Sequence, residues 1–240
     1  VPITPARHHV LYNDSGLIET SAMISNPTEK DPIVLMDAAR IERTLRRMAF
    51  QLLESAGLQQ EEQLHLIGLN ERGYYLAGQM QARMDAMLRT QTPGNVVKTS
   101  LHQLWIKPEA ASVSAPPGFD ARLPFVPVLP PRLQELLKQP GKTHQFVLID
   151  DVLFSGQSLA KAFNLLFNAA HSGQAASVSY PRIRTAILVD RGHRRFPLYP
   201  ELLGMNYPTK FNEHIEAQLP PAHAAASVVL LPEYRLQGAV

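Results

Sequence analysis

The sequence predicts an α/β protein with a mainly parallel central sheet flanked by helices. Two patterns support this fold class. Short apolar runs suited to buried strands alternate with amphipathic segments of helical period, and each strand-plus-helix unit spans about 30 residues. The composition agrees, because 240 residues with 45% hydrophobic and 18% charged content are typical of a globular protein.

The N-terminal third predicts an arm, a helix and a first βα unit. Residues 1–32 contain four prolines without a sustained period, so we interpret them as an arm preceding a domain over 33–240. A helix is expected next, because apolar residues recur at three- and four-residue steps, and Gly57 is a plausible end for it. These apolar residues are Ile41, Leu45, Met48, Leu52 and Leu53.

A buried strand over 64–69 follows that helix in the prediction. A glycine-bearing turn at 70–73 is expected to close the strand, and a helix over 74–88 comes next. The remaining predicted elements are strands at 96–106, 146–149, 184–189 and 227–231 and a helix at 158–170.

A proline-rich segment interrupts the second half of this pattern. Eight of the 33 residues from 108 to 140 are proline. Proline lacks an amide donor and fixes φ, so this insertion is predicted to be a long loop and neither a central strand nor a continuous helix.

Composition limits the classes of function. Lys and Arg (23) exceed Asp and Glu (21) by only 2, so an RNA or DNA site would need a local cluster of positive charge. The chain contains no cysteine, which excludes disulfides and thiolate chemistry and favours a cytoplasmic location. No run approaches the ~18 consecutive apolar residues of a membrane helix, so we expect no membrane partner.

Residues 147–158 carry the clearest chemistry. A hydrophobic strand runs into Asp150 and Asp151, and a short loop containing Ser155 and Gly156 then opens a helix. Strand carboxyl ends form the ligand crevice of a parallel sheet, and the amides of a helix start bind phosphate. Two adjacent carboxylates suit ribose hydroxyls or a Mg²⁺ ion held by the ligand's own phosphates. The pattern therefore favours a sugar phosphate, against the alternative that the acids only cap a helix.

Residues 147–158 resemble the phosphoribosyl pyrophosphate (PRPP) motif of type I phosphoribosyltransferases. Residues 186–197, with the run Val189-Asp190-Arg191-Gly192-His193-Arg194, and residues 203–209 narrow the resemblance to the pyrimidine-operon attenuator family, PyrR. Members of that family bind RNA and have uracil phosphoribosyltransferase activity. The resemblance implies the type I phosphoribosyltransferase fold with a small hood, Mg²⁺ as cofactor and a homo-oligomer.

The resemblance also implies roles for individual residues. Asp150, Asp151 and Arg72 would be catalytic, and the two aspartates would meet the ribose hydroxyls and, indirectly, Mg²⁺ bound to PRPP. The implied phosphate-binding residues are Val152, Leu153, Phe154, Ser155, Gly156, Gln157 and Ser158, joined by Asn70, Glu71 and Gly73 in the pyrophosphate loop. Asp190 and Arg191 fall near the base-binding hood.

Three differences from the family pattern define an alternative function. Glu71 stands where the family has threonine, which places a carboxylate near a leaving group of several negative charges unless it points away or pairs with Arg72. Gln157 replaces an arginine of the phosphate loop. Residues 100–107 and the proline-rich segment replace the family's closing loop, and a damaged lid lowers activity more than ligand binding.

A cationic patch raises the question of an RNA partner. His193, Arg194 and Arg195 are candidate RNA contacts, and the alternative is a solvated loop whose arginines pair with acids such as Glu201 and Glu213. Four arginines of the first helix either join an RNA surface or form the exposed side of an amphipathic helix. These arginines are Arg40, Arg43, Arg46 and Arg47.

Two functions follow from the sequence. The first is transfer of ribose 5-phosphate from PRPP to a pyrimidine base, with uracil expected, to give UMP and pyrophosphate. The second is a weakly active or inactive nucleotide sensor that binds UMP or PRPP and regulates through RNA or a protein partner.

Overall fold

The structure is a computed structural model, and it describes residues 31–56, 63–91, 98–106, 127–138, 144–171 and 182–232. Within these ranges the strands are β1 Ile33–Met36, β2 Gln63–Leu69, β3 Lys98–Leu104, β4 His144–Leu153, β5 Arg182–Asp190, β6 Leu202–Asn206, β7 His214–Gln218 and β8 Ser227–Leu231. The helices are α1 Ala38–Ala56, α2 Asn70–Gln91, α3 Pro131–Lys138 and α4 Gln157–His171.

Five of these strands form the central sheet in the order β3-β2-β4-β5-β6, and every neighbouring pair is parallel. The chain leaves β2 for the edge at β3 and then returns to β4 on the other side of β2. The strand order therefore reverses between β2 and β4, and open α/β sheets bind ligands beyond the carboxyl ends of the strands at such a point.

Helices cover both faces of the sheet, as the sequence predicted. Alternate strand residues face opposite sides, so two separate hydrophobic cores form. Leu66, Val147 and Leu188 pack on one face with α1 and α2, whereas Phe146 and Leu148 pack on the other with α3 and α4.

A second sheet has three antiparallel strands in the order β1-β8-β7. It is small, as was expected of the hood. It joins the two ends of the domain, because Leu230 of β8 pairs with both Ile33 and Ile215. Its residues Met36, Ile215 and Leu230 pack into the core that contains α1 and α2. Strand β8 was predicted correctly from the sequence, whereas β1, β6 and β7 were not predicted.

Three boundaries correct the sequence prediction. Helix α2 begins at Asn70, where a turn was expected, and β4 continues past the acid pair to Leu153. Residues 131–138 of the proline-rich segment are helical, because Pro131 occupies the first helical position, where its missing amide is not needed. The predicted helix end at Gly57, the start of the third strand at 96–97 and residues 107–126 lie outside the described residues.

Two glycines let α2 approach the sheet directly after β2. A Cβ atom on Gly68 would lie 2.3 Å from the Cα of Tyr74, and one on Gly73 would lie 2.5 Å from the carbonyl oxygen of Ile149. Real Cβ contacts do not come this close, so only glycine fits either position. The first turn of α2 is thereby fixed against the ends of β2 and β4.

Two arginines form side-chain contacts at the β5–β6 edge of the sheet, one from α1 and one from β5. Arg47 donates to the carbonyl oxygens of Leu203 and Gly204, both at 2.9 Å. Arg184 is buried and pairs with Glu201 at 2.7 Å. Side-chain contacts therefore hold the edge strand β6 in place in addition to its backbone hydrogen bonds with β5.

Three histidines, two of them buried, form a polar cluster on β2, β3 and β4. Nδ1 of His65 lies 3.3 Å from Nε2 of His102, and Nε2 of His65 lies 2.9 Å from Nδ1 of His144. The hydroxyl of Ser100 lies 2.8 Å from Nδ1 of His65. Burial lowers the pKa of His65 to about 3, and His102, His144 and Arg132 add to this shift. The cluster therefore favours uncharged imidazoles.

None of the helices in the described ranges combines the length and the apolar character needed to cross a membrane.

We expect this histidine cluster to make the protein less stable in acid. An unfolded His65 would titrate near 6.5 and the folded one near 3, so the unfolded chain binds the extra proton between these values and stability falls as pH falls through this window. Denaturant unfolding of the wild type and of His65→Asn from pH 7.5 to pH 4 measures this. The free energy of unfolding of the variant should fall less steeply as pH falls. The difference between the two slopes against pH should correspond to at most about one bound proton. Parallel curves would show that His65 does not contribute.

Candidate functional site

The candidate site lies at the carboxyl ends of β2, β4 and β5, where the strand order reverses. It combines the first turn of α2, the acid pair on β4, the loop that precedes α4 and the loop that follows β5. Each of these segments leaves the same edge of the sheet because the strands are parallel. The sequence-predicted residues therefore converge from three separate stretches of the chain, 70–73, 150–158 and 190–195.

The acid pair belongs to the last part of β4. The backbone amide of Asp151 donates to Oδ1 of Asp150 at 3.0 Å. Burial raises the pKa of Asp150 well above its usual value, and the neighbouring Asp151 carboxylate contributes to the rise. Asp150 therefore keeps its proton at pH values where an exposed aspartate is ionised.

The loop between β4 and α4 is shaped for close approach to its backbone. Gly156 has φ 81°, a conformation that glycine adopts without a steric penalty. Its carbonyl accepts the amide of Ala160 at 2.9 Å, while the Ser155 hydroxyl accepts the amide of Gln157 at 3.2 Å. Gln157 and Ser158 form the start of α4, where the helix supplies amides and partial positive charge to an anion.

The other predicted phosphate-binding residues take different positions. Val152 and Leu153 are strand residues that pack against the two cores, so only their backbone is available to a ligand. Gly73 is buried against Ile149. Asn70 has φ 54°, and its Oδ1 accepts the amide of Ile106 at 2.9 Å. Asn70 thus joins the start of α2 to the end of β3.

Arg72 extends from the first turn of α2 toward the acid pair. Its Nη1 lies 3.6 Å from Oδ2 of Asp151, and its Nη2 donates to Oε1 of Glu216 at 3.1 Å. Glu71, the residue that departs from the family pattern, is exposed. Carboxylates from β4 and β7 therefore lie beside Arg72.

Asp190 has a role inside its own loop. It is buried, and its Oδ1 accepts the amide of Gly192 at 2.9 Å. Its Oδ2 accepts Nη2 of Arg194 at 2.7 Å. These contacts hold the 190–194 turn in shape, so the carboxylate is occupied by the protein itself. A contact between Asp190 and a base stays a prediction.

Arg191 and Thr209 each carry a polar atom without a hydrogen-bond partner among the described residues. Both residues are buried, and neither Nε of Arg191 nor Oγ1 of Thr209 has a hydrogen-bond partner within the described part of the chain. The Arg191 guanidinium lies 3.9 Å from the centroid of the Phe154 ring. Burial lowers the pKa of Arg191, while the charge of Glu213 opposes this. Unsatisfied buried donors of this kind need an explanation, and a ligand beside them is one.

The three candidate RNA contacts differ in availability. His193 donates from Nε2 to the carbonyl of Thr209 at 2.6 Å. Arg194 is held by Asp190, and its guanidinium lies 4.2 Å from the centroid of the Tyr199 ring. Arg195 is exposed, although its backbone amide donates to the carbonyl of Ser155 at 2.9 Å. Arg195 therefore presents the most accessible cation of the three.

Of the two acids considered from the sequence as partners of this loop, Glu213 acts through its charge on Arg191, whereas Glu201 pairs outside the loop. Glu201 pairs with Arg184, and the Glu213 carboxylate accepts the amide of Lys210 at 2.7 Å. The arginine of the 193–195 loop that is paired uses Asp190 instead. Asp190 precedes Arg194 by one helical turn's spacing, but its burial was not evident from the sequence.

Sequence analysis missed His214 and Glu216, which β7 carries to the site. Glu216 contacts Arg72, and the His214 ring centroid lies 6.3 Å from that of Phe154. Burial lowers the pKa of His214, and the charge of Arg191 adds to this. Alternation of polar residues with Ile215, Ala217 and Leu219 was the available signal for a strand.

The donor groups of the site suit a metal only in part. No cluster of three or more His, Cys, Asp or Glu side chains in the described ranges has the geometry to hold a metal ion. The acid pair supplies two carboxyl groups at most, so an ion there would need further oxygen ligands from a bound molecule.

Comparison with known proteins identifies the family of the chain. A family model described as "Phosphoribosyl transferase domain" matches residues 35–212, and the chain belongs to this family. Similar curated proteins carry the name "Bifunctional protein PyrR". The one from Listeria welshimeri is 27% identical over 199 residues, covering 83% of this chain and 96% of that protein, and the one from Geobacter sulfurreducens is 29% identical over 201 residues, covering 83% and 98%.

Solved structures support the fold. The hypoxanthine phosphoribosyltransferase of Trypanosoma cruzi superposes with a TM-score of 0.55 at 13% identity, covering 84% of this chain and 97% of that one. The same enzyme in complex with the product IMP gives a TM-score of 0.53 at 13% identity, covering 83% and 89%. At this identity the likeness concerns the architecture.

We expect Arg194 to stabilise the fold through its pair with Asp190. Replacing it with alanine would leave the buried Asp190 carboxylate without its cationic partner, which should lower the free energy of unfolding by about 3 kcal/mol. Arg195→Ala is the matched control, because that side chain is exposed and should change stability by less than about 0.5 kcal/mol. Urea denaturation of both variants measures the difference, and equal stabilities would contradict the role assigned to the Asp190–Arg194 pair.

Proposed function

We propose that this protein is a Mg²⁺-dependent phosphoribosyltransferase that transfers ribose 5-phosphate from PRPP to a pyrimidine base, uracil, and yields UMP and pyrophosphate. The observation that carries this proposal is the convergence of Arg72, the acid pair and the α4 loop at one end of the sheet. The similarity to the PyrR proteins supports the choice of a pyrimidine.

Each part of the site has a task in this reaction. The amides at the start of α4 and the hydroxyls of Ser155 and Ser158 would bind the 5′-phosphate, and the acid pair would accept hydrogen bonds from the ribose hydroxyls. Arg72 would stabilise the charge that develops on the pyrophosphate as the bond to the anomeric carbon breaks. A ring nitrogen of the base forms the new bond at that carbon, and the proton that this nitrogen carried passes to the departing pyrophosphate or to solvent.

This reaction needs no protein nucleophile. Positioning of the two reactants and stabilisation of an oxocarbenium-like state account for such catalysis. The carboxylate of Asp151, held 3.6 Å from Arg72, would lie on the side of the ribose where positive charge develops. The chemistry therefore depends on charges that are already in place before the substrate binds.

Mg²⁺ fits this site as an ion carried by the substrate. Asp150 and Asp151 would contribute to its surroundings, and the pyrophosphate of PRPP would supply the remaining oxygen ligands. The metal supplies neutralisation of the leaving group's charge. Its dependence on the substrate agrees with the lack of a three-ligand cluster in the described ranges.

Arg191 and Thr209 support recognition of a base beside the ribose. Uracil offers two carbonyl acceptors and ring N–H donors, and the open Nε of Arg191 and Oγ1 of Thr209 can donate to such acceptors. Hydrogen bonds that satisfy buried donors give strong discrimination between bases. We also propose a cytoplasmic homo-oligomer, on the resemblance and on the lack of cysteine.

The first test replaces one oxygen of the acid pair. Asp151→Asn should lower the rate of pyrophosphate release from PRPP and uracil at least about 100-fold, because the charge beside the reacting ribose is lost. Asp37→Asn is the matched control, since Asp37 caps α1 at 2.7 Å from the amide of Arg40 and asparagine caps equally well. Circular dichroism should show both variants folded.

An unchanged rate in Asp151→Asn would refute the proposed role of the acid pair. Parallel assays of pyrophosphate release with uracil, hypoxanthine, guanine and orotate identify the base. If pyrophosphate is released with a purine and not with uracil, the purine takes the place of uracil as the proposed substrate.

A second candidate function, a nucleotide-sensing regulator that binds RNA, is favoured by a basic groove on α1. The groove has a volume of about 420 Å³ and is lined by Arg43, Arg46, Arg47, Phe50 and Met87. Arg43 and Arg46 are exposed, and Phe50 offers an aromatic surface beside them. Phosphate neutralisation with base stacking is how proteins bind single-stranded RNA.

Salt dependence tests this second candidate. If the groove binds RNA, the double variant Arg43→Ala with Arg46→Ala should reduce the slope of log K against log salt by about 2. Fluorescence anisotropy with an oligouridylate and an RNA stem-loop measures the slope. Lys161→Ala, on α4 at the opposite face of the sheet, is the control and should leave it unchanged. Identical slopes in the wild type and both variants would show that the groove does not bind RNA.

A further inference from the structure

Arg72 is held between two carboxylates that belong to different sheets. Its Nη2 lies 3.1 Å from Oε1 of Glu216 on β7, and its Nη1 lies 3.6 Å from Oδ2 of Asp151 on β4. Arg72 thus forms an ionic link between the central sheet and the three-stranded sheet at the site. Neither the family resemblance nor the sequence pattern pointed to Glu216.

The two contacts together define the orientation of the guanidinium. This group is planar and presents its N–H donors in a fixed fork, so a contact at each of the two Nη atoms restricts the direction of the whole plane. A free arginine side chain samples many rotamers and loses this freedom when it binds an anion. An arginine that is already oriented binds with less entropic loss.

Glu216 is fixed by its strand and independent of the hydrophobic core. Its neighbours Ile215 and Ala217 are buried, and its own backbone pairs with Val229 of β8. The Glu216 side chain is 27% exposed and lies outside the two hydrophobic cores. The strand therefore fixes the backbone from which the carboxylate reaches Arg72.

We propose that Glu216 is a positioning residue that orients Arg72 toward the pyrophosphate of the substrate. This inference rests on the proposed function, in which Arg72 binds that leaving group. Glu216 acts through Arg72 and touches neither the ribose nor the base. Its contribution therefore concerns the affinity for PRPP and pyrophosphate.

Two substitutions separate orientation from charge. Glu216→Gln keeps an oxygen that accepts from Nη2 of Arg72, whereas Glu216→Ala removes the acceptor. In Glu216→Ala, the KM for PRPP and the Kd for inorganic pyrophosphate with Mg²⁺ should rise about tenfold, while the KM for uracil stays unchanged. Glu216→Gln should stay within about threefold of the wild type, because the hydrogen bond is rescued.

A double-mutant cycle shows whether the effect passes through Arg72. Arg72→Ala should weaken pyrophosphate binding more than Glu216→Ala does, and adding Glu216→Ala to it should change nothing further. Glu201→Ala is the matched control, because it breaks the Arg184 ion pair away from the site. That variant is expected to lower the melting temperature without changing pyrophosphate binding.

The measurements distinguish this inference from the proposed function. Isothermal titration calorimetry with inorganic pyrophosphate and Mg²⁺ is run on the wild type first. A wild type that neither binds pyrophosphate nor releases it from PRPP overturns the proposed function and this inference together. Wild-type binding that Glu216→Ala leaves unchanged, or an equal loss in the Arg72→Ala background, overturns the inference alone.

Discussion

The site depends on the close backbone contact between β2, the first turn of α2 and β4. Gly68 and Gly73 allow this contact because neither adds a Cβ atom where the chains meet. A side chain at either position would push the start of α2 away from Ile149 and move Arg72 from the acid pair. The geometry of the charged groups is therefore set by two residues that carry no charge and no side chain.

Charge in the site is balanced locally. Arg72 lies between Asp151 and Glu216, Arg194 pairs with Asp190, and the charge of Glu213 acts on Arg191. Local balance of this kind leaves little net field to attract an anion, in keeping with the overall charge of +2. The site therefore presents backbone amides at the start of α4 and individual arginines rather than a broad positive surface.

The sequence predicted the parts of the structure that local signals encode. The β4 strand, the acid pair and the loop before α4 are contiguous, so an apolar run followed by acids, serine and glycine was enough to predict them. Residue Gly73 misled the prediction, because a glycine near a strand end usually marks a turn, whereas here it serves close packing inside the first turn of α2.

Non-local pairing explains what the sequence did not reveal. Strand β7 is five residues long and is stabilised by β8 and by the core, so Glu216 reaches Arg72 only through a fold assembled from both ends of the domain. The role of Asp190 was equally hidden, because its carboxylate looks the same in sequence whether it meets a base or Arg194. Alternation over 214–219 was visible, but it does not specify a partner strand.

The contact between Arg47 and β6 has a consequence for how the molecule behaves in a crowded solution. Strand β6 ends the central sheet, and the outermost strand of a sheet can recruit a strand from another molecule. Arg47 binds the carbonyl oxygens of two successive residues, Leu203 and Gly204. Successive carbonyl groups of a strand point to opposite edges, so one of these two belongs to the free edge. The same arginine that fastens α1 to the sheet thus occupies an acceptor that a strand from another molecule could otherwise use.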